Sequence, residues 1–230
     1  MMLIAAGLAA VLFAAASLVP DSSEIPAGST SSSTPPVVVT IFSEPGVSST
    51  LVQHLLAEAG AIWRPSGVEL VWRRATQNAV PPSRILEPGP YSPSILRVVI
   101  GHRRGVSRDN ETPLGWIVFD DEHEPQPEIY VSYANAQSLM ESARPVLGVI
   151  DQMPTRQHDL LLARAMGRAL AHELGHYLLA SKVHTQHGLL KARRTASDLF
   201  SIGRSGFAID AAQRQQIAAR MRGESLVVSR

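Results

Sequence analysis

Two patterns of hydrophobic residues divide the chain beyond residue 36. Short runs rich in valine and isoleucine are typical of buried strands, and they predict strands at 37–42, 68–72, 95–100, 114–119 and 128–133. Longer segments with apolar residues three or four positions apart predict helices, at 47–63, 155–181 and 210–222. One helix among the first strands, and helices after the last strand, favour an α+β fold in which helices pack on a sheet.

Finer features of the pattern add detail to this fold. Prolines concentrated between residues 73 and 94 indicate a long irregular surface loop. On the helix at 155–181, the spacing predicts that Arg164, Arg168 and Gly175 form the more solvent-exposed face. Large aromatic side chains are expected to anchor the core, and these are Trp63, Trp72 and Trp116.

The first part of the chain reads as an export signal followed by a linker. Residues 1–19 are apolar and carry no charge, and alanines near their end offer a cleavage pattern. We expect a signal peptide or an uncleaved N-terminal anchor that tethers the protein to a membrane. Residues 20–36 are rich in serine, threonine and proline, which predicts a disordered linker. The folded domain is therefore expected at 37–230, in a protein that is secreted, periplasmic or membrane-anchored outside the cytoplasm.

Composition excludes several classes of function. The chain contains no cysteine, so it has no disulfide framework, no thiolate zinc site and no cysteine nucleophile. Its 21 basic and 20 acidic residues give a net charge of +1. Without a basic excess, a nucleic-acid partner is not expected.

The strongest chemical signal is the HExxH motif formed by His172, Glu173 and His176 within the long predicted helix. Residues four positions apart differ by about 40° around a helix axis, so both imidazoles project from one face and can hold one zinc ion. Glu173 could then reach a metal-bound water without being a ligand, as a general base requires.

A catalytic zinc needs a third protein ligand and keeps its fourth position for water. His184 lies eight residues after His176 and is the first candidate for this third ligand. His187 and Asp198 are the alternatives.

The segment HELGHYLLASKVHTQHGLL resembles the active-site region of zincin metallopeptidases, and more narrowly of metzincins. The matching residues are His172, Glu173, His176, His184, Thr185, Gly188 and Leu189. This resemblance implies a zincin-like fold with a twisted, mostly parallel sheet of about five strands, a helix packed on the sheet, a long active-site helix and a C-terminal helix. It also implies zinc held by His172, His176 and His184, with Glu173 polarising the water for attack on a peptide carbonyl.

The sequence departs from the metzincin pattern in two places. Seven residues, rather than five, separate His176 from His184, and none of them is the glycine that the family places at the turn. The methionine of the family's Met-turn would fall at Leu190, where leucine can still provide an apolar platform.

Two further segments allow more than one interpretation. The acidic residues at 120–124 could hold calcium, although a solvated hairpin turn is the favoured interpretation. By family analogy, the strand at 128–133 is the edge strand beside the cleft, where an extended peptide could add to the sheet. The alternative for this strand is a plain sheet edge.

Together these features predict a monomeric zinc-dependent endopeptidase that acts on a peptide or protein substrate. A domain of another class stays open as the alternative. It would have the same fold and a structural zinc, and it would serve in binding or scaffolding at the cell envelope without turnover.

Overall fold

The computed structural model describes residues 35–75, 96–105 and 112–223. The predicted leader at 1–19, nearly all of the predicted linker and most of the predicted loop at 73–94 lie outside the described residues. Among the helices in the described parts of the chain, none is both long and apolar enough to cross a membrane.

The sheet has five strands in the order β2-β1-β3-β5-β4. Its strands are β1 (Val37–Ser43), β2 (Leu70–Arg74), β3 (Leu96–Gly101), β4 (Gly115–Phe119) and β5 (Pro125–Ser132). Neighbouring strands are parallel except for β4, which runs antiparallel to β5. The predicted α+β fold with a mostly parallel sheet of about five strands is therefore confirmed.

The register of the sheet explains its buried positions. Ile41 pairs with Val98, and Val98 pairs with Ile129 on the next strand. All three side chains are almost fully buried, because alternate residues of a strand point to the same face of the sheet. These aligned apolar residues form the floor on which the helices pack.

The helices are α1 (Ser49–Trp63), α2 (Tyr133–Ser142), α3 (Arg144–Leu147), α4 (Thr155–Leu179), α5 (Ala196–Phe200) and α6 (Ala211–Met221). The side chain of Ser48 accepts the Leu51 N–H and so caps the start of α1. Helices α1 and α4 approach closely at Gly167, where a Cβ would lie 2.6 Å from the carbonyl oxygen of Leu55. This contact holds the long helix α4 close against α1.

The prediction that the strand at 128–133 lies at an edge of the sheet is wrong. In the structure, β5 lies between β3 and β4, and Tyr133 already begins α2. Strand β4 instead forms the edge of the sheet on this side. A short turn after Phe119 folds the chain back, so that β5 lies on the inner side of β4. The short helix α2 was not predicted.

The acidic segment at 120–124 forms the turn of this β4–β5 hairpin. The N–H of Asp120 donates to the Glu124 carbonyl at 2.9 Å, and the Asp120 side chain accepts the Glu124 N–H at 2.8 Å. Glu124 also pairs with Arg220 at 3.0 Å. The carboxylates of Asp120 and Glu124 therefore make contacts within or beside an exposed hairpin turn. This agrees with the favoured interpretation of the segment.

The predicted exposed face of the long helix is also wrong. Arg168 and Gly175 are buried, and Arg164 is half-buried. The reason is that α5 and the segment after it pack on the two arginines, and Leu190 packs on Gly175. The helical pattern alone could not show these contacts. Trp63 is fully buried as predicted, whereas Trp72 is only partly buried against the core.

Candidate metal centre

Helix α4 carries His172 and His176 on one face, and their rings meet edge to face with centroids 4.6 Å apart. Their Nε2 atoms are 3.0 Å apart. Two nitrogen ligands of one tetrahedral zinc ion lie about 3.3 Å from each other. The separation set by the helix is therefore close to that of a metal-binding pair.

Backbone carbonyls determine which nitrogen of each ring carries the proton. Nδ1 of His172 lies 2.9 Å from the Leu189 carbonyl oxygen, and Nδ1 of His176 lies 2.6 Å from that of Ser181. Since a carbonyl oxygen only accepts hydrogen bonds, both Nδ1 atoms must donate. In the neutral rings, both Nε2 lone pairs then face each other, an arrangement that a shared cation would stabilise.

Burial keeps both rings neutral. It lowers the pKa of His172 to about 3, with a further contribution from the neighbouring His176. Burial also lowers the pKa of His176. Because a metal ligand must be deprotonated, these two imidazoles are prepared for a metal at neutral pH.

The third histidine reaches the pair because the chain reverses immediately after α4. Ala180 ends the helix in the left-handed conformation, with φ 46° and ψ 49°. The N–H of Ser181 then donates to the His176 carbonyl at 3.2 Å, a bond typical of a Schellman helix ending. Ala180 thus makes the turn that the metzincin pattern assigns to glycine.

After this turn, the His184 ring lies 5.3 Å from the His172 ring and 4.9 Å from the His176 ring, measured between centroids. One nitrogen from each ring lies within 4.8 Å of the others. These three histidines could hold a metal ion, and within the described residues they are the one cluster of three or more such side chains.

The alternative third ligands do not join this cluster. The carboxylate of Asp198 accepts the Thr195 N–H at 3.1 Å and so caps α5. His187 is exposed, and its carbonyl accepts the Thr185 hydroxyl at 2.6 Å.

The loop after His184 is held against the rest of the molecule by backbone bonds. The Thr185 N–H donates to the Leu190 carbonyl at 3.0 Å, and the Leu189 N–H donates to that of Ala208 at 2.9 Å. Gly188 has φ 73°, and a Cβ there would lie 2.6 Å from the Ala208 carbonyl oxygen. Only glycine fits this close approach.

Leu190, where the resemblance to metzincins would place a methionine, packs against the helix that carries the histidines. It is buried, and its Cδ2 would lie 2.7 Å from a Cβ at Gly175. This contact explains why Gly175 sits in an interior position of α4. Leu190 is thus a buried apolar side chain against the helix that carries the motif.

Glu173 belongs to α4, and its side chain lies between this helix and the edge strand β4. Its side chain is buried, and the backbone N–H of Ile117 donates a hydrogen bond to its carboxylate. Burial raises the pKa of Glu173 to about 8, and the bond from Ile117 offsets part of this rise. Gly115 leaves room for it, since a Cβ there would lie 3.2 Å from Cγ of Glu173.

An open cleft of about 730 Å³ lies in front of the histidines and Glu173. Edge strand β4 forms one wall, and the segment from Lys182 to Arg194 contributes to another. Trp116 lines this cleft and stacks on Tyr130, with ring centroids 4.6 Å apart. The prediction that Trp116 anchors the core is therefore wrong, because β4 is a sheet edge rather than a central strand.

Sequence reasoning missed two arginines that support the site. Arg194 donates to the carbonyl oxygens of Gly188 and Leu189 from the loop after His184. Arg168 lies four residues before His172, on the same face of α4. That spacing from the motif was the one available signal, and it was outweighed by the expectation that arginine faces water.

No protein-family model matches the chain, and no curated protein matches it either. The interpretation of the site therefore depends on its own geometry: three histidines that could hold a metal ion, beside a buried glutamate in an open cleft.

Proposed function

We propose that the protein is a zincin-like, zinc-dependent endopeptidase. The observation that carries this proposal is the convergence of His172, His176 and His184, with the first two Nε2 atoms facing each other at 3.0 Å. An all-imidazole set of three ligands suits zinc, and catalytic zinc sites commonly have three protein ligands. Zinc would supply a water molecule of lowered pKa and an electrophilic position for a carbonyl oxygen.

The chain's own residues would then supply the rest of the chemistry. Glu173 is positioned to take a proton from the attacking water and to return it to the leaving amine. Burial favours the protonated form of Glu173, and this is the form that donates the proton in the second step. The Ile117 N–H would keep the carboxylate oriented while the proton moves.

Edge strand β4 would hold the substrate. Its outer side is not paired to another strand in the described sheet, and it forms a wall of the cleft beside Glu173. An extended peptide can add to such an edge through main-chain hydrogen bonds. We therefore assign binding of an extended peptide to β4, rather than to the strand at 128–133 that the sequence indicated.

The open cleft supports the enzyme over the scaffolding alternative. A structural zinc site is closed by a fourth protein ligand, and neither His187 nor Asp198 belongs to the histidine cluster. The three histidines instead line an open cleft of about 730 Å³.

Comparison of the wild type with Glu173→Gln tests the mechanism. We expect the variant to bind one zinc ion per chain but to cleave an unfolded protein substrate about 10² to 10⁴ times more slowly, because the general base is lost. His184→Ala is the control for metal binding, and we expect it to lose zinc as well as activity. A zinc-loaded Glu173→Gln variant as active as the wild type would contradict the proposal.

A further inference from the structure

The cleft in front of the histidines carries an excess of positive charge. All four cations between α4 and α5 line it, and they are Lys182, Lys191, Arg193 and Arg194. Among the described residues that line the cleft, Glu173 is the only carboxylate. Between Glu173 and Asp198 the sequence contains no acidic residue. The chain as a whole has a net charge of only +1, so this is a local concentration of charge.

Two described carboxylates act on cations of the cleft wall, and neither of them lines the cleft itself. Arg168 also borders the cleft, but it is paired with the buried Glu58 at 3.0 Å. Asp198 acts electrostatically on Lys191 and Arg194, yet its carboxylate caps α5 and does not line the cleft.

Two of these cations, Arg194 and Lys182, each lie over an aromatic ring near the cleft. The guanidinium of Arg194 lies 4.2 Å from the centre of the Phe207 ring and bonds to the Gly188 carbonyl. The ammonium of Lys182 lies 5.0 Å from the centre of the Phe119 ring, at the end of β4. Positive charge therefore reaches the edge strand on which a peptide would lie.

We propose that this cleft selects peptides that carry a carboxylate next to the bond to be cleaved. The inference rests on the proposed peptidase function for the nature of the substrate. A cleft lined by charges of one sign concentrates ligands of the opposite sign, and salt weakens the effect. The carboxylate could belong to an acidic side chain or to a free C-terminus, since both present the same group.

Peptide binding to the zinc-loaded Glu173→Gln protein tests this preference without turnover. Four fluorescent peptides of one sequence would carry Glu or Gln at the central positions, each with a free or an amidated C-terminus. We expect fluorescence anisotropy to show about tenfold tighter binding of the Glu peptides in dilute buffer, with most of the difference lost at about 0.5 M salt. Tighter binding only of the free-acid peptides would assign the carboxylate to the C-terminus. Equal affinities for all four would overturn the proposal.

Charge reversal identifies the cations responsible. In the same Glu173→Gln background, adding Lys182→Glu and Lys191→Glu together should abolish or reverse the preference. Arg156→Glu is the matched control, because it lies 16 residues before His172 on α4, about 24 Å along the helix axis. It should keep the preference. A preference that survives the double reversal would overturn the proposal.

The two proposals fail in different ways. If the wild type cleaves no peptide while the Glu peptides still bind more tightly, the peptidase proposal fails and the charge preference stands. If the wild type cleaves and binds Glu and Gln peptides equally well, the charge preference fails and the peptidase proposal stands.

Discussion

Single residues determine how ready the site is for a metal. Backbone carbonyls orient His172 and His176, so that both Nε2 atoms are left to share a ligand. Glu173 is the one acid among the described residues of the cleft lining, and its side chain is surrounded by protein rather than water. In the metal-free protein, these three groups therefore carry no charge near neutral pH, since burial opposes the charged form of each.

This electrostatic state predicts how many protons zinc releases. Near pH 6, Glu173 with a pKa of about 8 is protonated, and His172 with a pKa of about 3 is already neutral. Zinc favours the carboxylate, so the wild type should release about one proton more than Glu173→Gln. Titration calorimetry in buffers of different ionisation enthalpy measures this difference. Equal proton release by both proteins would show that Glu173 does not lose a proton when zinc binds, which contradicts this account.

Among the elements, the end of α4 has the greatest influence on the site. The helix stops at Leu179, and Ala180 turns the chain so that His184 returns to the histidine pair. The left-handed conformation costs an alanine about 1 kcal/mol or more. The apolar pattern predicted the helix, and the HExxH spacing on it predicted the pair of histidines. The turn was not predictable, because alanine gives no sign of a positive φ.

Relief of this strain is measurable. We expect Ala180→Gly to raise the free energy of unfolding by about 0.5 to 1 kcal/mol, the gain in φ freedom less the extra entropy of the unfolded chain. Ala57→Gly, at an exposed position within α1, is the control and should lower it by about 1 kcal/mol. Urea denaturation of the metal-free proteins gives both values. Similar losses in the two variants would mean that Ala180 is not in the left-handed conformation.

Across the whole molecule, a buried arginine joins the long helix to the segments packed around it. Arg168 bonds to Glu58 of α1 at 3.0 Å and to the carbonyl oxygens of Ser201 and Gly203 at 2.8 Å each. Arg204 also pairs with Glu58, at 2.5 Å. One side chain thereby connects α4, which holds the histidines, with α1 and with the segment that follows α5.

Loss of Arg168 should therefore affect the fold more than the chemistry. We expect Arg168→Met to lower the free energy of unfolding by about 3 to 5 kcal/mol, because three carbonyls lose their buried donor and Glu58 keeps only the partly exposed Arg204. The matched change Arg156→Met, at an exposed position on the same helix, should alter it by less than about 0.5 kcal/mol. Thermal and urea unfolding provide the comparison. A small effect at Arg168 would show that this network does not stabilise the domain.

The sequence predicted the strands and the major helices because their apolar patterns are strong and local. It placed the sheet edge incorrectly because strand order depends on how the turn at 120–124 folds β4 back, which no local pattern encodes. It also placed Arg168 on the surface, because its partner Glu58 is 110 positions away along the chain. Among the site residues, the pair on α4 followed from spacing alone, whereas the position of His184 depended on the fold.

A crystal structure of the zinc-loaded protein, with anomalous data collected at the zinc edge, tests the central claim most directly. We predict one zinc ion bound by Nε2 of His172 and His176 and by a nitrogen of His184, with a water molecule in the fourth position facing Glu173. A fourth protein ligand from His187 or Asp198, or zinc bound away from these three histidines, would contradict it.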